Sequence, residues 1–377
     1  MRNLTLIPKR KIIILIAPLD WGLGHASRCI PIIKYLSSRD CDVIIASDGI
    51  QQSLLQAEFP HLQFINLSGY RVTFSKNRWK TLIKYFWQIP KILISINREN
   101  KWLQNFLLKN RVDAIISDNR YGLFNKNINS IIITHQLTIK NPLGIFFENL
   151  LRKINYHYIN KFDECWVPDF EDSDNMGGKL SHPDKMPSTS VKFLGRLSRI
   201  VKEKSFSKSI QLLVILSGPE PQRSIFEEIL LAQLHTYGET TVLIRGLPGE
   251  TESLVNNKKN LFIYNHLSAT ALNQYINEAT FIISRSGYST VMDLIGLMKK
   301  CIFVPTPGQY EQEYLAKYLS SRKFCLSYKQ SKFHLVEAIR EAASYKFENF
   351  KHPGNDQYQK VITDLISNLL LVNKLRK

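Results

Sequence analysis

The sequence has no Cys-x-x-C pair, and its five cysteines (Cys29, Cys41, Cys165, Cys301 and Cys325) form an odd set placed mostly inside apolar runs. A reducing compartment fits this set best, and no spacing of cysteine and histidine suggests zinc. Acidic residues are scarce: 32 stand against 50 lysines and arginines, for a formal charge of +18. The imbalance points to an anionic partner (a phosphorylated small molecule, an anionic lipid surface or nucleic acid) or simply to a basic, solvated surface. Nucleic acid is not expected, because no reader motif accompanies the charge. No apolar run approaches the roughly 20 residues that cross a bilayer, so any membrane contact is expected to be peripheral. The start "MRNLTLIPKRKIIILIAPL" has basic residues before an apolar run, as a signal peptide does, but Asp20 and glycines follow where a cleavage site would lie. It reads as a cytoplasmic strand.

What the chain does have is length and core material. Its 377 residues, 44% hydrophobic and 11% aromatic, exceed what one core usually serves, and two domains are expected. Short β-branched runs alternate with amphipathic segments in both halves, the pattern of parallel sheets with crossover helices. Strands are expected at 11–19, 42–47, 62–67, 113–118, 130–135, 164–169 and 191–195, then at 211–217, 241–246, 261–265, 281–286, 301–305 and 324–328. The fold class is α/β, with each half a doubly wound, Rossmann-like unit: an acceptor-side domain over 1–195, a charged, serine-rich linker over 196–210, and a second domain over 211–355. A last helix, 356–377, is expected to pack back on the first domain. Residues 170–190 resist assignment, and so long a connection is usually functional or mobile.

Ligands of open parallel sheets gather at the carboxyl ends of strands, where helix N-termini offer free N–H groups. In "DWGLGHAS", Gly22 and Gly24 allow close approach and His25 opens a helix facing the cleft. His25 is either a general base for a hydroxyl nucleophile or a helix-start residue bonding a loop carbonyl. "GLGHAS" lacks the third glycine of a dinucleotide fingerprint, which weighs against nicotinamide. Asp118, Asn119, Arg120 and His135 also follow strands and are candidates for the same cleft, against turn formation and a core-edge histidine. His182, in the long connection, is not expected to take part. "DSD" at 172–174 matches a metal-binding D-x-D but reads mainly as solvated charge, and no metal is expected.

In the second half, Ser217, Gly218 and Arg223 form a loop of the same kind, with an ordinary turn and helix cap as the alternative. The most specific signal is "FIISRSGYSTVMDLIGLMKKCIFVPTPGQYEQEYLAKYL", residues 281–319. Its helix start suits phosphate, Asp293 one turn in can accept both ribose hydroxyls, and "GQYEQE" can bond a sugar.

Over 281–316 this segment resembles the MurG-like glycosyltransferases of family 28, with weaker resemblance through the rest of the second half and only the glycine-histidine turn in the first. The resemblance implies the GT-B fold, two facing Rossmann-like domains with a cleft between them. It implies that Ser286, Gly287 and Thr290 face phosphate and Asp293 the ribose. Gln312 and Glu313 would read the donor sugar, with Gln309 nearby. Arg199 and the Ser217–Gly218 loop would meet the diphosphate, and Leu267 marks the base-reading segment. Asp293 stands where the family more usually has glutamate, and the family's first loop is richer in glycine.

Together these readings predict a metal-independent, inverting glycosyltransferase. It would move a hexose or N-acetylhexosamine from a UDP-sugar, or another nucleoside-diphosphate sugar, to an acceptor hydroxyl, with His25 or Asp118 as base and no cofactor. A lipid-linked acceptor suits residues 76–111, which carry nine basic residues, one acid and six aromatics, Trp79, Phe86, Trp87 and Trp102 among them. Such a segment fits either the inner face of the cytoplasmic membrane or a pair of core helices. A nucleotide-sugar epimerase, which would convert donor without acceptor, and a non-catalytic sugar-nucleotide-binding protein remain as alternatives.

Overall fold

The computed structural model describes residues 10–70, 78–203, 209–247, 250, 258–351 and 357–375, with backbone alone for 78–89, 373 and 375. The first seven strands are β1 (Ile13–Pro18), β2 (Asp42–Ser47), β3 (Gln63–Asn66), β4 (Ala114–Asp118), β5 (Asn129–Ile133), β6 (Glu164–Val167) and β7 (Ser190–Phe193). They form one parallel sheet in the order β3-β2-β1-β4-β5-β6-β7. The crossovers are helices α1 (Leu23–Ser38), α2 (Gly49–Glu58), α3 (Arg78–Leu107) and α4 (Ile145–Ile159).

The second sheet, also parallel, is built from β8 (Ile210–Ile215), β9 (Thr241–Ile244), β10 (Leu261–Tyr264), β11 (Ala279–Ser284), β12 (Lys300–Phe303) and β13 (Cys325–Ser327). Its order is β10-β9-β8-β11-β12-β13. Helices α5 (Gln222–Leu234), α6 (Ala269–Glu278), α7 (Tyr288–Ile295), α8 (Tyr310–Ser321) and α9 (Leu335–Ser344) cover it, and α10 (Gln357–Leu375) follows. Every strand segment expected from sequence falls on one of these thirteen strands. The runs are legible because a parallel strand is covered on both faces and its apolar sequence is continuous: in β1 every residue from Ile14 to Ala17 is fully buried.

In each sheet the strand order reverses at the first strand of its half, between β1 and β4 and between β8 and β11. A crevice opens there at the carboxyl ends of the strands. Register pairs Pro18 with Asp118 in the first sheet and Ile215 with Ser284 in the second, so the two crevices are floored by those residues. Helices α1 and α7 start from them and meet across the cleft.

The connection from 168 to 189 is a strap. It leaves the first sheet after β6, yet its apolar residues Phe170, Met176 and Leu180 are buried in the second domain's core. Asp169 organises it, accepting from the backbone N–H groups of Phe170, Met176 and Gly177 (each 2.9 Å) and from Ser181 Oγ (2.6 Å). Tyr314 of α8 accepts from Lys179 N at 2.7 Å, and Arg322, just past the end of α8, pairs with Asp174 at 2.6 Å. Asp174 of the "DSD" triplet is thereby spent on an ion pair, with Lys351 3.4 Å from its other oxygen.

After α9 the chain returns to the first domain. Ile362, Leu365 and Leu369 of α10 lie in one cluster with Ile30, Ile33 and Trp166, and Thr363 Oγ1 hydrogen-bonds Tyr35 OH at 2.8 Å. Their spacing of three and four residues is that of one helix face. Of the expected linker 196–210, residues 204–208 lie outside the described residues. All five cysteines are buried and free.

If α10 is part of the first domain's core, Leu365→Ala should lower the unfolding free energy by about 2–5 kcal/mol, the range for a buried Leu→Ala change. Urea denaturation followed by tryptophan fluorescence checks it, and a loss below about 0.5 kcal/mol would mean that the helix only rests on the surface.

Candidate active site between the two sheets

The turn from β1 into α1 is held from both sides. Gly22 has a φ of +82°, and its N–H bonds Asp20 O at 3.0 Å. Gln51 Nε2 donates to Asp20 O (2.9 Å) and Gly22 O (3.2 Å), and Asp20 Oδ1 accepts from Tyr70 N (2.9 Å). Gly24 faces the other domain: a Cβ there would lie 2.8 Å from Ser289 Oγ, which donates to Gly24 O at 3.2 Å. Glycine at 24 is therefore what lets the first turns of α1 and α7 touch.

His25, on the first turn of α1, meets Asp118 at the end of β4, with Nδ1 3.2 Å from Oδ1. Between them reaches Arg28, three residues on and so on the same helix face. Its Nε donates to Asp118 Oδ2 (2.7 Å), Nη2 to Asp118 Oδ1 and to His25 Nδ1 (2.8 Å), and Nη1 to His135 Nδ1 (3.0 Å). His135, just past β5, places Nε2 3.0 Å from Glu311 Oε1 on α8, and Gln136 donates to the other Glu311 oxygen. The His135 ring also stacks on Tyr288, centroids 3.9 Å apart. Thus His25, Asp118 and His135 come together, and Arg28 and Glu311, which sequence reasoning missed, join them. The available signal was the i, i+3 spacing of His25 and Arg28.

Electrostatics follow from this burial. Burial would raise the Asp118 carboxyl, but Arg28 and then His25 overcome it and hold it at about 2. The His25 imidazole is pushed below its ordinary value, by burial first and by the Arg28 charge next, against the pull of Asp118. It is neutral at pH 7, and Nε2 has no hydrogen-bond partner among the described residues. Glu311 is half-buried, and the partial desolvation that would raise it is outweighed by His135 and Gln136, which keep it below the usual carboxylate range.

The other acceptor-side candidates divide. Asn119 follows Asp118 with a φ of +56°, is 6% exposed, and its Oδ1 has no partner. Such left-handed non-glycine backbone tends to occur at functional positions. Arg120 is fully buried and turned away from His25. Its Nε donates to Glu99 Oε1 (2.7 Å), and its Nη atoms to the carbonyls of Pro18, Leu67 and Ser68. Tyr70 OH adds a 2.7 Å bond to Glu99, so this network ties α3 to the strand ends. His182 stacks on Phe193, with Nδ1 2.9 Å from Ser181 Oγ.

In the second domain, Gly287 caps α7 in extended conformation and leaves open space where a Cβ would stand, its nearest atom Thr290 Oγ1 at 4.0 Å. Ser286 Oγ donates to Gln312 O (2.8 Å), bracing the helix start against α8. Gln312 Oε1 accepts from Thr306 N (2.9 Å) and Glu313 Oε1 from Gly308 N (3.0 Å), while Gln309 caps α8, so "PTPGQYEQE" forms a folded loop. Ser217 and Gly218 are exposed at the end of β8, with Gly218 at a φ of +104° and its Cβ direction 3.5 Å from Thr306 Oγ1, a buried hydroxyl without a partner. Leu267 packs on the domain core. Arg223 turns inward, paired with Glu220 and with Glu227 at 3.0 Å.

Asp293 accepts from Ser198 Oγ of the interdomain connection, with Arg196 and Arg199 as its nearest charges. Arg196 Nε and Nη1 and Arg199 Nε are buried without partners. The Arg196 guanidinium lies over Gly296, the C-terminal end of α7, whereas an unpaired buried N–H such as that of Arg199 is costly and a phosphate would satisfy it. Among the described residues, no three His, Cys, Asp or Glu side chains converge to hold a metal ion.

The model of the glycosyltransferase family 28 C-terminal domain matches residues 231–366. No curated protein matches the chain. Among solved structures, the glycotransferase of kitacinnamycin superposes with a TM-score of 0.65 at 13% identity, covering 96% of this chain and all of that one. Phytolacca americana UGT2, complexed with UDP-2fluoro-glucose and pterostilbene, gives 0.59 at 14% identity over 95% of this chain and 94% of that one. The spinosyn rhamnosyltransferase SpnG, complexed with thymidine diphosphate, gives 0.56 at 14% identity over 97% and 100%. The two-domain architecture expected from sequence is the fold of these enzymes.

Asp293 gives a pH test. Burial lifts its carboxyl from 3.8 to about 6, against the Ser198 hydroxyl and the two arginines. A carboxyl raised on folding stabilises the fold below its unfolded value and loses that contribution as pH rises through the folded one. Asp293→Asn should therefore raise the unfolding free energy at about pH 8 by up to about 3 kcal/mol and change it little near pH 4. Urea unfolding at both pH values decides, and an equal difference at the two would contradict the raised value.

Proposed function

We propose that this chain, which has the GT-B fold and whose residues 231–366 match the family 28 C-terminal domain, is a glycosyltransferase that carries out an inverting, metal-independent transfer. The donor is a uridine diphosphate hexose or N-acetylhexosamine and the acceptor a hydroxyl. The observation that carries it is the apposition of the two strand-end crevices. The open start of α7, with Asp293 one turn in, touches the glycine turn that bears His25, and Ser289 Oγ bonds Gly24 O at 3.2 Å. One solved neighbour was obtained with thymidine diphosphate and another with UDP-2fluoro-glucose, which supports a nucleoside-diphosphate-sugar donor.

In this reading the diphosphate lies at the N-terminus of α7 and the Ser217–Gly218 loop, where free N–H groups and the helix dipole favour negative charge. Arg199 supplies the remaining positive charge, in the place a metal ion holds in other transferases, while Arg196 lies over Gly296 at the other end of α7. Asp293 exchanges its Ser198 partner for ribose hydroxyls. Thr306, Gln309, Gln312 and Glu313 line the sugar side. The acceptor oxygen attacks C1 from the face opposite the diphosphate and forms the new C–O bond. The C1–O bond to phosphate breaks, with its electron pair leaving on the diphosphate. His25 Nε2 takes the acceptor's proton, and Asp118, ionised at neutral pH, stabilises the imidazolium.

Isothermal titration with UDP at fixed salt tests the donor site. Wild type should bind saturably and Asp293→Ala should lose about tenfold or more in affinity, since a buried charged hydrogen-bond partner contributes about 1.5–3 kcal/mol. Absence of binding by UDP and by other nucleoside diphosphates would remove the reading.

The acceptor in this proposal is carried on a membrane. Trp102 of α3 does not face outward but stacks on Phe106, centroids 5.3 Å apart, in the first domain's core, and the side chains of Trp79, Phe86 and Trp87 lie outside the described residues. Within 76–111 the described residues expose Ile94 and Leu108, and a longer apolar stripe lies on α4, where Ile145 is 76% and Phe146 77% exposed, followed by Leu150 and Ile154 one and two turns on. Lys153 and Arg152 flank this stripe, and the acid of the helix, Glu148, is paired with Lys140 at 2.8 Å. An apolar face edged with cations matches an anionic leaflet. Lys140 also lies 5.4 Å over the Tyr314 ring of α8, which places the start of α4 at the mouth of the cleft. Phe146→Asp should cut co-sedimentation with phosphatidylglycerol vesicles about tenfold while leaving UDP affinity unchanged. Unaltered vesicle binding would sink this assignment.

A further inference from the structure

Arg28 is 4% exposed and touches three groups of the first domain's crevice at once. A guanidinium has only N–H donors and accepts nothing. Each ring nitrogen it meets at hydrogen-bond distance must therefore offer a lone pair. His25 Nδ1 lies 2.8 Å from Nη2, and His135 Nδ1 lies 3.0 Å from Nη1. A neutral imidazole carries one proton, so in both histidines that proton sits on Nε2. For His135 the far end agrees: Nε2 faces the carboxylate of Glu311 at 3.0 Å, an acceptor. For His25 the consequence is different. The nitrogen left for the cleft carries N–H and cannot take a proton.

The second tautomer is also provided for. Asp118 Oδ1 lies 3.2 Å from the same His25 Nδ1, close enough to accept a hydrogen bond from it. If Arg28 Nη2 gave up Nδ1, that nitrogen would carry the proton, donate to Asp118, and leave the lone pair on Nε2. One proton leaves Nε2 for cleft water and one arrives at Nδ1, so the ring stays neutral. Arg28 would keep its Nε bond to Asp118 (2.7 Å) and its Nη1 bond to His135.

We infer that Arg28 is a positioning residue that sets which ring nitrogen of His25 bears the proton. The resting site presents a donor at Nε2, and it becomes a base when Arg28 yields Nδ1 to Asp118. The inference rests on His25 being the proton acceptor of the transfer, and its test begins without activity.

The measurement is the nitrogen-15 spectrum of histidine-labelled full-length protein near pH 7.5, with His25 assigned by its loss in His25→Gln. Wild type should show His25 with a protonated Nε2 and an unprotonated Nδ1, and Arg28→Lys, with its single point of donation, should shift the population toward protonated Nδ1. A resting His25 protonated at Nδ1 overturns the inference, as does a tautomer that stays on Nε2 in Arg28→Lys. Should that variant fail to fold, the wild-type spectrum decides alone. In turnover, Arg28→Lys should change kcat and its pH profile while leaving the donor KM within about twofold, and a change confined to KM counts against it. Failure of the transferase reading is separable, since it would appear as absent UDP binding with the tautomer as expected.

Discussion

The buried charge of Arg28 is the constraint around which the cleft is built. A guanidinium with 4% of its surface exposed needs compensation, and Asp118 supplies it through both carboxylate oxygens. Because Asp118 ends β4 and Arg28 lies on α1, the pair fixes the helix against the point where the strand order reverses. His25 and His135 then have determined orientations, since each offers Nδ1 to the same guanidinium. Through His135 the network passes to Glu311, so the second domain is docked onto the same charge. One ion pair in the first domain thus bears on the tautomer of a histidine, the start of a helix and the closure of the cleft.

Much of this was legible in the sequence, for identifiable reasons. Central parallel strands announce themselves as nearly unbroken apolar runs, while outer ones such as β3 (QFIN) and β7 (SVKF) are short, partly polar and half-exposed. Asp118 and His135 could be named because they directly follow such runs, and ligand crevices open there. Arg28 could not, since it lies one turn inside a helix and nothing in a lone sequence says that its face is covered. Glu311 was passed over because the family resemblance points to Gln312 and Glu313, with Gln309 nearby, whereas Glu311 bonds a histidine and a glutamine of the other domain. Arg120 and Arg223 look the same in sequence as Arg28. The structure spends them on Glu99 and Glu227 inside their own domains.

The strap at 168–189 was illegible for another reason. Its apolar residues, Phe170, Met176 and Leu180, follow no period of two or 3.6, because the element they pack against belongs to the other domain. Only the fold reveals that Asp169 gathers backbone donors from three positions into one compact turn. Exposed Ile145 and Phe146 were likewise hidden, since an amphipathic helix reads the same whether its apolar face meets a core or a lipid surface.

The return of α10 to the first domain bears on how the molecule is made. Ile362, Leu365 and Leu369 complete a core whose other members, Ile30, Ile33 and Trp166, leave the ribosome long before them. Domains generally fold as units during synthesis, N-terminal first. Here the earlier unit stays unfinished, with an apolar face open, until the whole second domain has been synthesised. The second domain is in effect an insertion into the first, and the interval before α10 docks is when the nascent chain is most exposed to chaperones and to mispairing with its neighbours.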